Sequence, residues 1–354
     1  MTPAPNRFHR SASLGAVILA LVLVGCAGNQ AKPESKTDFV LDTACTITIY
    51  DKAPQDTLTK AFDLLRHVNS TMTIDGTDSE LIDVNNAAGL HPVEVSADTY
   101  GVIKDGLYYS RLTDGAFDIT VGPLVKLWGI GRGGDSVPPQ AKIREALSLV
   151  DYRNVALDDA THSVYLKRKG MVIDLGGIAK GYAGEAVEEL LQKGAVRHAI
   201  VDLGGNIIAI GTKVDGSLWR IGIQDPDRAR GSYIGVVSVE NKAVVTSGKY
   251  ERYFVYKGKR YHHILSTKTG FPVENGIASV TIISANSTTA DALSTSLFLL
   301  GVQKGISLID SIDQTEAIIV TEDKKIYVSG GLNEKFRISD PEYTLSSPIS
   351  VPAS

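Results

Sequence analysis

The sequence predicts an α+β fold, a single large domain in which mixed or antiparallel sheets are flanked by helices. Three observations carry this expectation. Helix-period and strand-period segments succeed one another; the middle and C-terminal parts hold many short strand-like runs with few long helices between them; and glycine pairs end two of the most apolar runs. A doubly wound parallel sheet would need a helical crossover between neighbouring strands, and the runs leave little room for one.

The first segment reads as targeting rather than fold. Arg7 and Arg10 precede an apolar run from Leu14 to Val24, which leads into Gly25-Cys26. That run of about eleven residues is short of the roughly 20 that span a bilayer as a helix, and a small residue before a cysteine marks a cleavage point. Residues 1–25 are therefore expected to be a lipoprotein signal peptide and Cys26 the lipidated residue. Residues 26–37, small and polar, are expected to be a tether. The expected location is the membrane surface, lipid-anchored and facing the periplasm or the cell exterior. Cys45 is the only other cysteine, so no intrachain disulfide is expected.

The domain is expected over residues 38–339. Thr46-Ile47-Thr48-Ile49 alternates as a strand, and Leu58, Ala61, Phe62, Leu65 and Val68 follow helix spacing. Strand-like runs follow at Val172 to Asp174, Ala199 to Leu203, Trp219 to Ile223, Ala243 to Thr246 and Ser279 to Ser284. Between the first two, Lys180 to Lys193 has helical spacing and stops at Gly194. A second helix is capped by Asn286 or Ser287, buries Ala290, Leu293, Leu297 and Leu300, and closes at Gly301. Residues 340–354, rich in proline and serine, read as a disordered tail.

With 43% hydrophobic residues, 21% charged and a net charge of -4, the chain has the composition of a globular enzyme and no basic field for nucleic acid. Its chemistry is concentrated in three places. Val172-Ile173-Asp174-Leu175-Gly176-Gly177 recurs 28 residues later as Ile200-Val201-Asp202-Leu203-Gly204-Gly205. The first copy runs into a helix with Lys180 in its first turn; such a turn can hold a phosphate on free N–H groups, or it can be a plain turn. Asp291 and Thr295 lie four apart on the second helix, which puts two hard oxygen donors of the kind Mg2+ prefers on one face. Asp291 could equally be a solvated helix residue. Thr246-Ser247-Gly248 and His262-His263 fall on runs joined through the turn Lys257-Gly258-Lys259, where a histidine could serve as base or be structural. No G-x-S-x-G elbow is present, and the histidine pair has no further ligand at zinc spacing.

These features coincide with a known pattern. The chain resembles the FAD:protein FMN transferase family, the ApbE-type lipoproteins, from about Phe39 to about Gly331. The resemblance rests on Gly115-Ala116-Phe117-Asp118-Ile119-Thr120-Val121-Gly122-Pro123-Leu124 with Trp128, on Asp174-Leu175-Gly176-Gly177-Ile178-Ala179-Lys180-Gly181-Tyr182 and on Asp202-Leu203-Gly204-Gly205-Asn206. It continues in Thr246-Ser247-Gly248 with Tyr250-Glu251-Arg252, in His263-Ile264 with Thr269-Gly270, and in Ala290-Asp291-Ala292-Leu293-Ser294-Thr295.

The resemblance implies Mg-dependent transfer of FMN from FAD to a threonine of an acceptor protein, with release of AMP. It places the ion on the carbonyl of Gly177, on Asp291 and on Thr295, and makes Lys180 an assistant to the leaving phosphate. It sets Leu41, Asp75, Ala116, Phe117, Asp118, Asp174 and Ile264 around FAD, and names His263 as candidate base beside the catalytic Asp291. The implied partners are FAD and flavin-accepting subunits of membrane redox complexes.

Two positions depart from the family pattern. Asp75 stands where many relatives have an aromatic residue, so weaker FAD binding and a companion hydrolysis to FMN and AMP are expected. Ser266-Thr267 stands where Asp-Pro is usual and reads as turn chemistry. The alternative functions are an Mg-dependent FAD pyrophosphatase and a flavin-binding lipoprotein without catalysis.

Overall fold

The computed structural model describes residues 32–332 and 335–346. Its centre is a nine-stranded sheet in the order Glu34–Val40, Thr43–Ile49, Ala199–Leu203, Asn206–Ile210, Lys242–Gly248, Ile277–Ser284, Glu316–Thr321, Lys325–Val328 and Thr344–Ser346. Every neighbouring pair is antiparallel except the last. The expected α+β class with antiparallel and mixed pairing is what the chain adopts.

Alternation along the strands decides which layer each side chain joins. Val245, Val280, Ile282 and Ile319 face the main core, under the helices Thr57–Met72, Ala97–Leu112, Ala179–Lys193 and Ser287–Leu300. Val244, Ile283, Ile318 and Val320 face the opposite side. There a three-stranded sheet of Trp219–Gln224, Tyr233–Val239 and Phe336–Ile338 closes a second core with Trp219, Ile234 and Val237. Strand Ile277–Ser284 is buried at every position because both of its faces are covered, which is why its sequence is nearly continuous in apolar and small residues. A third, aromatic cluster anchors the end of the helix Gly122–Trp128: Trp128 stacks with Phe254 and Tyr261 and donates its indole N–H to Gly270 O at 2.8 Å.

Three expected boundaries differ. The first strand begins at Glu34, inside the expected tether, because Glu34 to Val40 pair rung for rung with Thr43 to Ile49. The expected tail from residue 340 is folded as far as Ser346. Asp340 and Tyr343 are buried, Tyr343 donates its hydroxyl to the buried Asp225 at 2.8 Å, and Thr344–Ser346 forms the last strand of the sheet. The segment Val172 to Asp174 is not a strand. Its backbone groups are satisfied elsewhere: Ile173 exchanges two hydrogen bonds with the Asn85 side chain (2.7 and 3.0 Å), Asp174 N–H donates to Ile119 O at 2.8 Å, and Val172 makes one isolated bridge to Val121. The expected signal peptide and Cys26 lie outside the described residues. Among the described residues no helix is long and apolar enough to cross a membrane.

Candidate active site

The two glycine pairs read as an echo do different work. Gly176 and Gly177 lead into the helix Ala179–Lys193, whereas Gly204 and Gly205 form the two-residue turn of a hairpin in which Leu203 faces Asn206. Both hairpin glycines have positive φ (68° and 102°), and a side chain at Gly204 would run into Thr43. A second two-residue turn, Leu41-Asp42, has φ of 57° at both positions, an unusual conformation for a leucine. The two turns, the helix-opening glycines and the strand Lys242–Gly248 surround a cavity of about 520 Å³.

Asp291 lies in the cavity wall, 3% exposed, at the second turn of the helix Ser287–Leu300 that Asn286 caps through Thr289 N–H. Its Oδ2 accepts the Gly181 N–H at 2.8 Å and its Oδ1 accepts Asn206 Nδ2 at 3.0 Å, with Lys180 Nζ at 3.6 Å. The first turn of one helix is thus tied to the middle of the other. Gly181 makes this possible, since a Cβ there would stand 2.6 Å from Asp291 Cβ. One helical turn on, Thr295 Oγ1 contacts Ser247 Oγ at 3.1 Å, and Ser247 also contacts Ser294 Oγ at 2.7 Å. Gly177 faces the same spot: a Cβ on it would lie 3.7 Å from Thr295 Oγ1 and 2.9 Å from the Phe117 ring. The three residues expected to hold Mg2+, Gly177, Asp291 and Thr295, thus all line this cavity.

The donor set suits that ion. It offers one carboxylate, one hydroxyl and one carbonyl, all hard oxygens, in a wall open to water and to a substrate phosphate, which is how Mg2+ is commonly held. The three supply no imidazole nitrogen or thiolate sulfur, the donors a softer metal takes.

His263 is half-buried on the same cavity. Its Nδ1 lies 3.2 Å from Arg252 O, and a carbonyl only accepts, so Nδ1 carries the proton and Nε2 keeps its lone pair. Burial, followed by the Arg252 cation, pushes its pKa down to about 3 against the opposing pull of that carbonyl. The ring is neutral at physiological pH. His262, in contrast, points away, holding Val273 O at 3.0 Å and stacking edgewise on Phe298, so of the pair only His263 can act on a ligand in the cavity.

Leu41, Ala116, Phe117, Asp118, Asp174, Lys180 and Ile264 all line the cavity. Asp118 is buried with its Oδ1 bound by Thr120 (2.8 and 2.6 Å) and its Oδ2 by Tyr152 N–H (2.9 Å), and burial raises its pKa. It fixes the loop that presents Ala116 and Phe117. Asp75 is the exception. It is exposed and lies outside the wall, while Thr73, Ile74 and Arg132 belong to it, and its carboxylate is turned onto Arg132 Nε at 2.8 Å. Ser266 behaves as a turn residue, its Oγ accepting N–H bonds from Lys268 and Thr269, and Thr267 donates to Gly115 O at 2.6 Å. The wall also contains Arg132, Asn206, Arg230, Ser247, Glu251 and Arg252, none assigned a role from sequence. Asn206 and Glu251-Arg252 lay inside the quoted motifs, but their contacts cross the fold and leave no periodic signal.

The ApbE family pattern matches residues 41–319. A protein named FAD:protein FMN transferase from Klebsiella pneumoniae is 40% identical over 284 residues, covering 80% of this chain and 88% of its own length. One of the same name from Treponema pallidum is 36% identical over 351 residues, 94% of this chain and 97% of its own. Among solved structures, the ApbE protein of Thermotoga maritima superposes with a TM-score of 0.79 at 34% identity, over 86% of this chain and all of that one. The flavin transferase ApbE of Vibrio cholerae gives 0.75 at 28%, over 84% and 98%. Matched along most of its length in both sequence and backbone course, the chain belongs to the ApbE family.

Proposed function

We propose that this protein is an Mg-dependent FAD:protein FMN transferase that acts on a threonine hydroxyl. Relatives of that name span the chain at 30–40% identity, which supports FMN transfer from FAD to a protein. The observation that carries the chemistry is the meeting of Gly177, Asp291 and Thr295 beside Lys180 on one cavity wall. Gly177 O, an Asp291 oxygen and Thr295 Oγ1 would hold the ion. When bound, Mg2+ neutralises charge on the pyrophosphate oxygens and stabilises the departing phosphate.

The other residues perform what remains. Lys180 is drawn to a phosphate as readily as to Asp291 and screens the charge that grows on AMP. His263 Nε2 takes the proton of the acceptor hydroxyl as its oxygen attacks the FMN phosphorus, the anionic pyrophosphate in the same cavity raising the basicity that burial lowers. The P–O bond to AMP breaks and the FMN phosphate becomes an ester of the acceptor. Positioning and electrostatics supply most of the rate in such transfers.

The membrane assignment completes the reading. The apolar run before Gly25-Cys26 supports export and lipidation, which would hold the enzyme on the outer face of the membrane, toward the periplasm or the cell exterior, near membrane-bound redox acceptors. The test is incubation with FAD, Mg2+ and a flavin-accepting redox subunit. Flavin fluorescence on the denatured acceptor is expected. Free FMN and AMP with an unlabelled acceptor would replace the transferase with the pyrophosphatase.

A further inference from the structure

We infer that Arg132, held by Asp75, is the residue that grips one of the two ring systems of FAD by stacking; the inference rests on FAD being the substrate. Arg132 sits at the tip of a glycine turn, Gly129 to Gly134, that is rigid at its base. The Arg132 and Gly134 N–H groups both donate to Gly129 O (2.8 and 2.9 Å), Gly129, Gly131 and Gly133 have positive φ, and Trp128 and Ile130 are buried beneath. From there the side chain reaches the cavity, 28% exposed.

Part of the guanidinium edge is engaged. Its Nε lies 2.8 Å from Asp75 Oδ2 and its Nη1 3.7 Å from Asp174 Oδ2, on two different segments of the chain. The Asp174 carboxylate is anchored a second time, and the backbone that carries Asp75 is fixed. The Asp75 loop is closed by Thr73 Oγ1 accepting the Asp75 N–H at 3.0 Å, and the other oxygen of Asp174 accepts Gly176 N–H at 2.7 Å. With Nε held by Asp75 and Nη1 drawn toward Asp174, the group has a flat face to offer, and a planar delocalised cation stacks on an aromatic face. FAD brings two such faces, isoalloxazine and adenine. The surface pair with Asp75 is too exposed to be kept for stability, since Asp75 is 48% exposed. Asp75 is therefore a positioning residue for Arg132.

The experiment titrates FAD, FMN and ADP into the full-length lipid-free protein and its variants without Mg2+, reading flavin fluorescence quenching or heat. Arg132→Gln is expected to weaken FAD binding about tenfold, the order of one stacked ring. The same loss should appear with either FMN or ADP, and the one that loses affinity identifies the ring. Arg132→Lys, which keeps the charge but not the plane, should bind as poorly as Arg132→Gln. Asp75→Asn should lose less, and the double variant Asp75→Asn/Arg132→Gln should match Arg132→Gln alone. In turnover the loss should fall on KM for FAD and spare kcat. Full binding by Arg132→Gln, recovery by Arg132→Lys, or additive losses in the double variant would each overturn the inference. Failure of the unaltered protein to bind FAD would instead overturn the substrate reading.

Discussion

Asparagine at position 291 removes one charge from the cavity wall while preserving nearly all of its hydrogen bonding. The Asp291 carboxylate accepts from Gly181 N–H and Asn206 Nδ2, both buried against it. Alanine would leave both donors without an acceptor, at about 1–3 kcal/mol each, a large share of a typical stability of about 5–15 kcal/mol. Asparagine keeps an oxygen for Gly181, and a flip of the Asn206 amide turns an acceptor toward the new NH2, so the stability cost should stay near 1 kcal/mol. The proposed ion site loses the one carboxylate of its three donors. Loss of a partner in the outer shell of a metal site already costs 10–100-fold, so loss of this ligand should weaken Mg2+ binding by at least about 100-fold, or about 2.8 kcal/mol. The assay is the initial rate of acceptor labelling, read as fluorescence of the denatured acceptor, across a wide Mg2+ range with thermal unfolding in parallel. A rate restored only at high Mg2+, with a melting temperature close to that of the parent, is expected. Unchanged Mg2+ dependence at full rate would refute the ligand assignment.

Three further outcomes follow from the same geometry. Gly181→Ala forces the two site helices apart, since its Cβ would stand 2.6 Å from Asp291 Cβ and 2.8 Å from Thr288 Cα; it should cost about 1–3 kcal/mol in urea unfolding and raise the Mg2+ requirement. His263 is held neutral by burial, with a pKa lowered from 6.5 to about 3, so between these values the unfolded chain binds a proton that the folded chain does not. Stability should therefore rise with pH through that window and fall on acidification, and His263→Gln should show a smaller drop in melting temperature from pH 7.5 to 4.5. Transfer rates, for their part, should show no inflection near pH 6.5 from this group. A stop codon after Ser339 removes Tyr343 and exposes Asp225, and should cost about 3 kcal/mol or more in chemical denaturation, whereas an unstructured tail would cost nothing.

The parts of this protein legible in its sequence are those encoded by local spacing. Helix period places Asp291 and Thr295 on one face, and the Asn286 cap and Gly301 stop bound their helix; the turn at Lys257-Gly258 joins Tyr253–Tyr256 to Lys259–His262, whereas the Thr246-Ser247-Gly248 run expected beside the histidines pairs instead within the large sheet. What stayed hidden depends on distant partners. Val172 to Asp174 has the composition of a strand, but Asn85, 88 residues away from Ile173, takes the hydrogen bonds that a neighbouring strand would have made. Residues 340–346 look loose because their proline and serine content says nothing of Asp225, which lies 118 residues before Tyr343. Position 75 was read as a contact with the ligand, and the structure instead turns its carboxylate to an arginine on another loop.

The order of the large sheet has a practical side. Its two edge strands, Glu34–Val40 and Thr344–Ser346, lie near the two ends of the chain, so eight strand spacings, about 38 Å, separate the lines along which those ends leave the sheet. A purification tag or fluorescent reporter fused directly after Ser346 would therefore start on the far flank from the first strand. Tension applied through residue 34 would open the first hairpin rung by rung, from Glu34 and Ile49 toward the Leu41-Asp42 turn. The last rung to part borders the cavity, which makes that turn a natural place for a strain-sensitive dye.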